Sequence, residues 1–172
     1  MQAMQTTIER AWHVLESVPD PEIPVVSIRE LGILRDVRHG DDGVLEVVIT
    51  PTYSGCPATE VIADSIRTML KTHGVENFSL KQKLSPAWTT DWLSEAGREK
   101  LRQFGIAPPA ATAREHVVDA SRIMRGKVRV AVCCPRCGSS TTRLVSQFGS
   151  TPCKAQYRCN ACSEPFDYFK PH

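Results

Sequence analysis

Two Cys-x-x-Cys knuckles, Cys134-Pro135-Arg136-Cys137 and Cys159-Asn160-Ala161-Cys162, stand 21 residues apart near the end of a 172-residue chain. Two residues between cysteines let a tight turn aim both sulfurs at one ion, and Gly138 tolerates the left-handed backbone that turns amides toward the thiolates. Between the knuckles lie two strand-like runs, Thr141–Phe148 and Lys154–Arg158, and a third, Pro165–Phe169, follows them. The expectation is a small β-ribbon over residues 127–172 with Cys134, Cys137, Cys159 and Cys162 as metal ligands. A domain of this size buries too little apolar surface to fold alone, so metal binding supplies much of its stability.

Tetrahedral sulfur suits Zn²⁺, which is the leading assignment, although rubredoxin-type iron uses the same spacing. Cys133 and Cys153 are further thiols nearby. Cys153 is an additional ligand if the site holds an iron–sulfur cluster. Otherwise Cys133 is a buried thiol and Cys153 a packed turn residue.

There are seven cysteines in all, an odd number, and six fall in the last 40 residues. In a reducing compartment such clusters read as metal ligands before disulfides. The composition, 41% hydrophobic and 23% charged, is that of a globular chain and excludes global disorder. No apolar run reaches the roughly 18–20 residues that cross a bilayer. The opening Met1–Thr7 has neither basic start nor apolar core of a secretion signal, so a cytoplasmic protein is expected.

Net charge is +2 but unevenly placed: residues 127–172 carry seven Lys/Arg against Glu164 and Asp167, while residues 1–126 carry 14 against 17 Asp/Glu. A basic tail on a mildly acidic body suits docking to an acidic protein or a nucleic acid; solvation of a small metal domain requires the same charges.

Upstream, Ile8, Ala11, Trp12, Leu15 and Val18 have helical spacing over residues 6–18, and Pro19 ends that helix. Asp20-Pro21-Glu22-Ile23-Pro24 is an extended loop. Strands are expected at Ile33–Arg38 and Val44–Thr50 around a His39–Gly43 turn, the second strand central with one wholly apolar face. A helix follows with Pro57 in its first turn and Gly74 just past its end. A third strand, Phe78–Leu84, precedes a helix capped by Thr90 and running to Phe104. This order describes a small α+β domain over residues 1–106. Residues 107–126, with Pro108-Pro109, read as a linker that includes a short helix at Val117–Met124, and Lys127–Val132 reads as a strand leading into the cysteines.

Cys56 falls between a buried strand and a helix, where free N–H groups and the helix dipole favour a sulfur nucleophile or soft-metal ligand. The alternative is a small core residue. Asp20 and Glu22, on the proline-stiffened loop, are candidates to approach it with oxygen ligands. The histidines, His13, His39, His73, His116 and His172, are scattered singly.

Asp20–Pro24, Ile28-Arg29-Glu30-Leu31-Gly32-Ile33 and Thr52-Tyr53-Ser54-Gly55-Cys56-Pro57 resemble the MIP18-like (DUF59) family, whose members assist iron–sulfur protein assembly. Cys134–Ser139, Phe148-Gly149-Ser150-Thr151-Pro152-Cys153-Lys154-Ala155, Glu164–Lys170 and the Trp88–Ser94 run resemble the PaaD (PaaJ) family of the bacterial phenylacetate pathway. That resemblance implies association with the oxygenase or reductase components of a phenylacetyl-CoA epoxidase, a di-iron monooxygenase. It also implies that the family's exposed cysteine falls on Cys56, with transient iron or an iron–sulfur cluster there, and its acidic loop on Asp20 and Glu22.

No flavin or nucleotide fingerprint and no Glu-x-x-His pair is present, so the chain is not expected to perform the oxygenation. Three readings stand: a maturation factor for the epoxidase's iron centres, a stoichiometric non-catalytic subunit, and a zinc-ribbon nucleic-acid binder. Only a few aromatic residues and a modest positive charge favour the last.

Overall fold

The computed structural model describes residues 2–109 and 132–171, which fall into two compact units divided between Gly97 and Arg98. The expected helix at Val117–Met124, most of the 107–126 linker and the strand Lys127–Val132, apart from Val132, lie outside the described residues.

The first unit is an α+β sheet structure. Helix α1 (Gln2–Leu15) is followed by β1 (Leu34–His39), β2 (Leu45–Ile49), α2 (Ala58–Thr72) and β3 (Phe78–Gln82). Strands β1 and β2 form an antiparallel hairpin whose turn is closed by Gly43, at φ +75°. Strand β3 then joins the other side of β2 in parallel, in register from Leu45↔Phe78 to Ile49↔Gln82. Parallel neighbours need a long crossover, and α2 supplies it.

The alternation of β2 predicts one apolar face, yet all five of its residues are buried. Glu46 is the polar one. Its carboxylate accepts from Arg38 Nη2 at 2.6 Å across the hairpin and pairs with the Lys81 ammonium on the other neighbouring strand. The Lys81 and Arg38 contacts hold the Glu46 carboxyl below its ordinary range. A depressed pKa stabilises the fold above the unfolded-state value, about 4.3, and that contribution is lost as pH falls through the folded value. Glu46→Gln is therefore expected to melt lower than wild type at neutral pH, with the gap closing below about pH 4. A gap of constant size across a pH-resolved thermal melt series would refute this role.

Helix α2 buries Ala58, Ile62, Ala63, Ile66 and Leu70 along one stripe, each large aliphatic side chain contributing about 1.5–3 kcal/mol. It ends as expected. Gly74, at φ +75°, donates to Lys71 O, and Val75 donates to Leu70 O, a paired Schellman closure.

The connection after β3 differs from expectation. Thr90 opens only a short 3₁₀ turn (Thr90–Trp92), Leu93 is extended, and α3 begins at Glu95 and runs to Phe104. Ser94 is the working cap: its Oγ accepts from Gly97 N at 3.0 Å, while its own N–H donates to Glu30 O at 2.8 Å. The tertiary bond to Glu30 selects Ser94 over Thr90.

That contact also anchors the turn between α1 and β1. Ser27 and Glu30 form a reciprocal capping pair, with Ser27 N donating to Glu30 Oε2 and Glu30 N to Ser27 Oγ. Gly32, at φ +71°, closes the turn directly beneath Trp92; a Cβ there would meet Trp92 O at 2.5 Å. Trp88 Nε1 donates to Leu31 O at 2.8 Å, and the Arg35 guanidinium stacks on Trp92. Gly32→Ala combines left-handed strain with a backbone clash and is expected to cost at least about 2 kcal/mol in urea unfolding. An unshifted midpoint would show that this packing is dispensable.

Among the described residues, the second unit contains a four-stranded sheet in the order β4-β7-β6-β5, from β4 (Ile106–Ala107), β5 (Thr142–Ser146), β6 (Lys154–Cys159) and β7 (Pro165–Phe169). The three long strands, all expected from the sequence, pair antiparallel. The domain boundary differs from the expected residue 106. Gly105, at φ +95°, turns the chain directly out of α3 into β4, which pairs in parallel with β7 at Ile106↔Asp167 and Ala107↔Tyr168. Residues 98–109 thus group with the cysteine unit, and Ala107 sits in its core beside Val132, Cys134, Ala155, Cys159, Phe166 and Tyr168.

Candidate functional site

The hydrogen-bonded hairpin of β6 and β7 carries Cys159 at its tight end, and the turn before β5 carries Cys134 and Cys137. Each knuckle is closed by backbone bonds. In the first, Gly138 N donates to Cys134 O and Cys134 N to Ser139 O, both at 2.9 Å. In the second, Cys159 N donates to Glu164 O at 2.9 Å and Cys162 N points at Cys159 Sγ at 3.5 Å. Gly138 has φ +73°, and the equivalent place after Cys162 is taken by Ser163 at φ +64°. The second left-handed position was not foreseen, because no glycine marks it.

The four sulfurs lie within 4.8 Å of one another. Cys134 Sγ is 3.8 Å from Cys162 Sγ, and Cys137 Sγ is 3.6 Å from Cys159 Sγ. Metal–sulfur bonds of about 2.3 Å in a tetrahedron require sulfur–sulfur edges of about 3.8 Å. The donor set therefore fits a four-coordinate metal ion with every position filled by protein, which is the closed arrangement of a structural site.

The electrostatics agree. The Cys162 N–H is the main influence holding the Cys159 thiol down to about 6, against the opposing effect of burial. At Cys162 the Glu164 N–H acts downward, but the Cys137 sulfur, burial and the other sulfurs outweigh it and push the thiol up to about 12. Four thiolates this close repel one another, so full deprotonation needs a cation among them. Among the described residues, the core cluster beside the cysteines holds Ala107, Val132, Ala155, Phe166 and Tyr168, with Tyr157 stacked 5.9 Å from Phe166. A site that supplies folding energy belongs here.

Cys153 is buried, with its sulfur 3.0 Å from Thr151 Oγ1, and Cys133 is exposed. Neither belongs to the four-sulfur group.

In the first unit, Cys56 is half-buried and immediately precedes Pro57, the N-cap of α2. No side chain caps that helix end, and Cys56 O accepts from Thr59 N at 3.1 Å. Gly55, at φ +83°, sets the turn that presents it. Asp20 is buried and fastens its own loop, its Oδ1 accepting from Glu22 N at 2.9 Å and Ile23 N at 2.8 Å. Among the described residues, Cys56, Asp20 and Glu22 do not come together as a group of ligand atoms within 4.8 Å.

Residues 119–170 match the family described as the PaaD zinc beta ribbon domain, and residues 8–77 match the family described as iron–sulfur cluster assembly protein. A protein of Escherichia coli (strain K12), named as a candidate component of 1,2-phenylacetyl-CoA epoxidase, is 46% identical over 164 residues, covering 95% of this chain and 92% of that one. The chain belongs to the PaaD family. A second set of relatives matches about half of the chain. The Fe-S protein maturation auxiliary factor of Porphyromonas gingivalis (strain ATCC BAA-308 / W83) is 34% identical over 96 residues, 55% of this chain and 90% of that protein. The solved DUF59 domain of Bacillus anthracis aligns with a TM-score of 0.52 at 24% identity, over 58% of this chain and 95% of that one, and shows the shared fold. Among the described residues, no helix of this PaaD-family chain is long and apolar enough to cross a membrane.

Proposed function

We propose that this chain is an accessory protein of a phenylacetyl-CoA epoxidase system that helps load the iron or iron–sulfur centres of its components. The observation that carries this reading is the pairing of two kinships in one chain. Along nearly its whole length it resembles a protein named for that epoxidase, while its first unit alone resembles Fe-S maturation factors. In this reading Cys56, presented at the uncapped start of α2, receives iron or a cluster as transient cargo or engages the client. Asp20 keeps the neighbouring loop in shape, and Glu22 offers a carboxylate from it.

The ribbon's resident ion in this reading is Zn²⁺, held by Cys134, Cys137, Cys159 and Cys162. A redox-inert ion with all four positions filled supplies structure rather than chemistry. The separation of tasks is consistent: a permanent closed site in one unit, and a single accessible thiol in the other.

The test is to produce the epoxidase components with and without this protein, then measure iron, sulfide and turnover of each. Components that are metal-poor only in its absence support loading. The name of the Escherichia coli relative, which counts it among the epoxidase's own subunits, favours a second reading, a stoichiometric non-catalytic subunit. Fully loaded components that regain activity on simple addition of the protein would establish that reading instead.

A further inference from the structure

Helix α3 has ten residues, and isolated helices shorter than about 12–15 residues are marginal in water, so it depends on what holds its two ends. Its start is fastened by the Ser94 cap. Its end leans on the cysteine unit. Gly105, at φ +95°, closes the last turn by donating to Arg102 O at 3.1 Å. Arg136 stands between the sulfur ligands Cys134 and Cys137, and its guanidinium lies directly over Gly105: a Cβ there would meet Arg136 Nη2 at 3.1 Å and Cζ at 3.4 Å. The last carbonyls of a helix lack intrahelical donors and carry its partial negative charge, so a cation is favoured at this end.

The chain then enters β4, a strand of two residues that has no stability of its own. Both residues are buried, Ile106 opposite Asp167 and Ala107 opposite Tyr168 of β7. Ala107 shares its core cluster with Cys134 and Cys159, two of the four ligands. Beyond β4, the Pro109 carbonyl accepts from Arg98 Nη1, which ties the chain back onto α3.

We propose that the Cys134–Cys137 knuckle clasps the end of α3, so that metal binding in the ribbon and the ordering of residues 98–107 are one coupled transition. The ion fixes the knuckle that carries Arg136 and the core that receives Ala107. Without it, the guanidinium leaves Gly105 and β4 loses the strand it pairs with. The boundary between the two units falls within α3, so the metal state of the ribbon sets the order of the chain at their junction. Such coupling is reciprocal: whatever loosens the clasp also weakens metal binding. The inference rests on a metal-holding ribbon and not on whether the chain loads iron into a client.

The test uses the full chain with Zn²⁺ as the probe. Hydrogen exchange is measured with the ion bound and after its removal by a chelator, and Zn²⁺ affinity is measured by chelator competition. Removal is expected to raise exchange across residues 98–107 roughly tenfold or more and to leave β2 unchanged. Arg136→Ala, which keeps all four thiols, is expected to bind one Zn²⁺ about two- to fivefold more weakly. Gly105→Ala adds left-handed strain and a Cβ that displaces the guanidinium, and is expected to bind about tenfold more weakly. In the Arg136→Ala background the same glycine substitution should cost less, because the guanidinium is already gone. One Zn²⁺ per chain at saturation shows that the ribbon of each variant folds. Exchange in residues 98–107 that ignores Zn²⁺, wild-type affinity in Gly105→Ala, or an equal cost of that substitution in both backgrounds would each overturn the inference.

Discussion

Cys159→Ser is expected to reduce bound metal from one ion per chain to almost none and to unfold the ribbon. Cys159 is buried at the end of β6, with its sulfur 3.6 Å from Cys137 Sγ, so a serine there leaves three thiols and no closed tetrahedron. Metal binding by such sites contributes about 10–16 kcal/mol in zinc-finger peptides, a large share of what holds a small domain together. Hydrogen exchange should show β5, β6 and β7 losing protection, while β1 and β2, buried in the first unit's own core, keep it. Cys153→Ser is the contrast, since Cys153 is buried but outside the four-sulfur group, and it should retain one ion per chain. Acidification should mimic the Cys159 variant, because the ligands are thiolates and each proton they take competes with the metal. Retention of a full equivalent of metal by Cys159→Ser would remove this cysteine from the site.

Cys56→Ala is expected to do the reverse, leaving the fold almost untouched and lowering client loading to the level seen without the protein. The thiol is half-buried at a loop-to-helix junction, and substitutions in such places usually change stability by within about 0.5 kcal/mol. Its contribution under the proposed function is chemical: a sulfur at the start of α2, next to N–H groups that no side chain caps. Iron and sulfide content of the epoxidase components, produced beside wild type or the variant, decides the matter. Components that are equally loaded in both cases would show that Cys56 is a packing residue. Preserved melting behaviour in the variant is needed to read a loss of loading as chemical.

Much of this was legible locally. The C-x-x-C spacings located the knuckles, because two intervening residues leave a turn little choice of geometry. The Pro57 and Gly74 signals placed the ends of α2, since each acts on its own backbone. The features that were missed depend on contacts distant in sequence. Thr90 and Ser94 are equally capable caps by composition, and the carbonyl of Glu30 chose between them. Ile106–Ala107, at the junction of the expected first domain and linker, has no periodicity to mark a strand; only its pairing with β7, some sixty residues later, makes it one. Alternation predicts one apolar face for β2, and cations on both neighbouring strands permit Glu46 on the other face to be buried as well.

The sequence by itself determined the two kinds of unit, the four sulfur ligands expected of the ribbon, and the helix that follows Cys56, because these follow from residue types a few positions apart. Tertiary structure decided that the four sulfurs gather within 4.8 Å of one another, that residues 98–109 group with the ribbon, and that Arg143 and Arg158 stand opposite each other on β5 and β6. The physical reason is that register, strand order and sulfur geometry are set by pairings across long loops, whose closure no local propensity specifies.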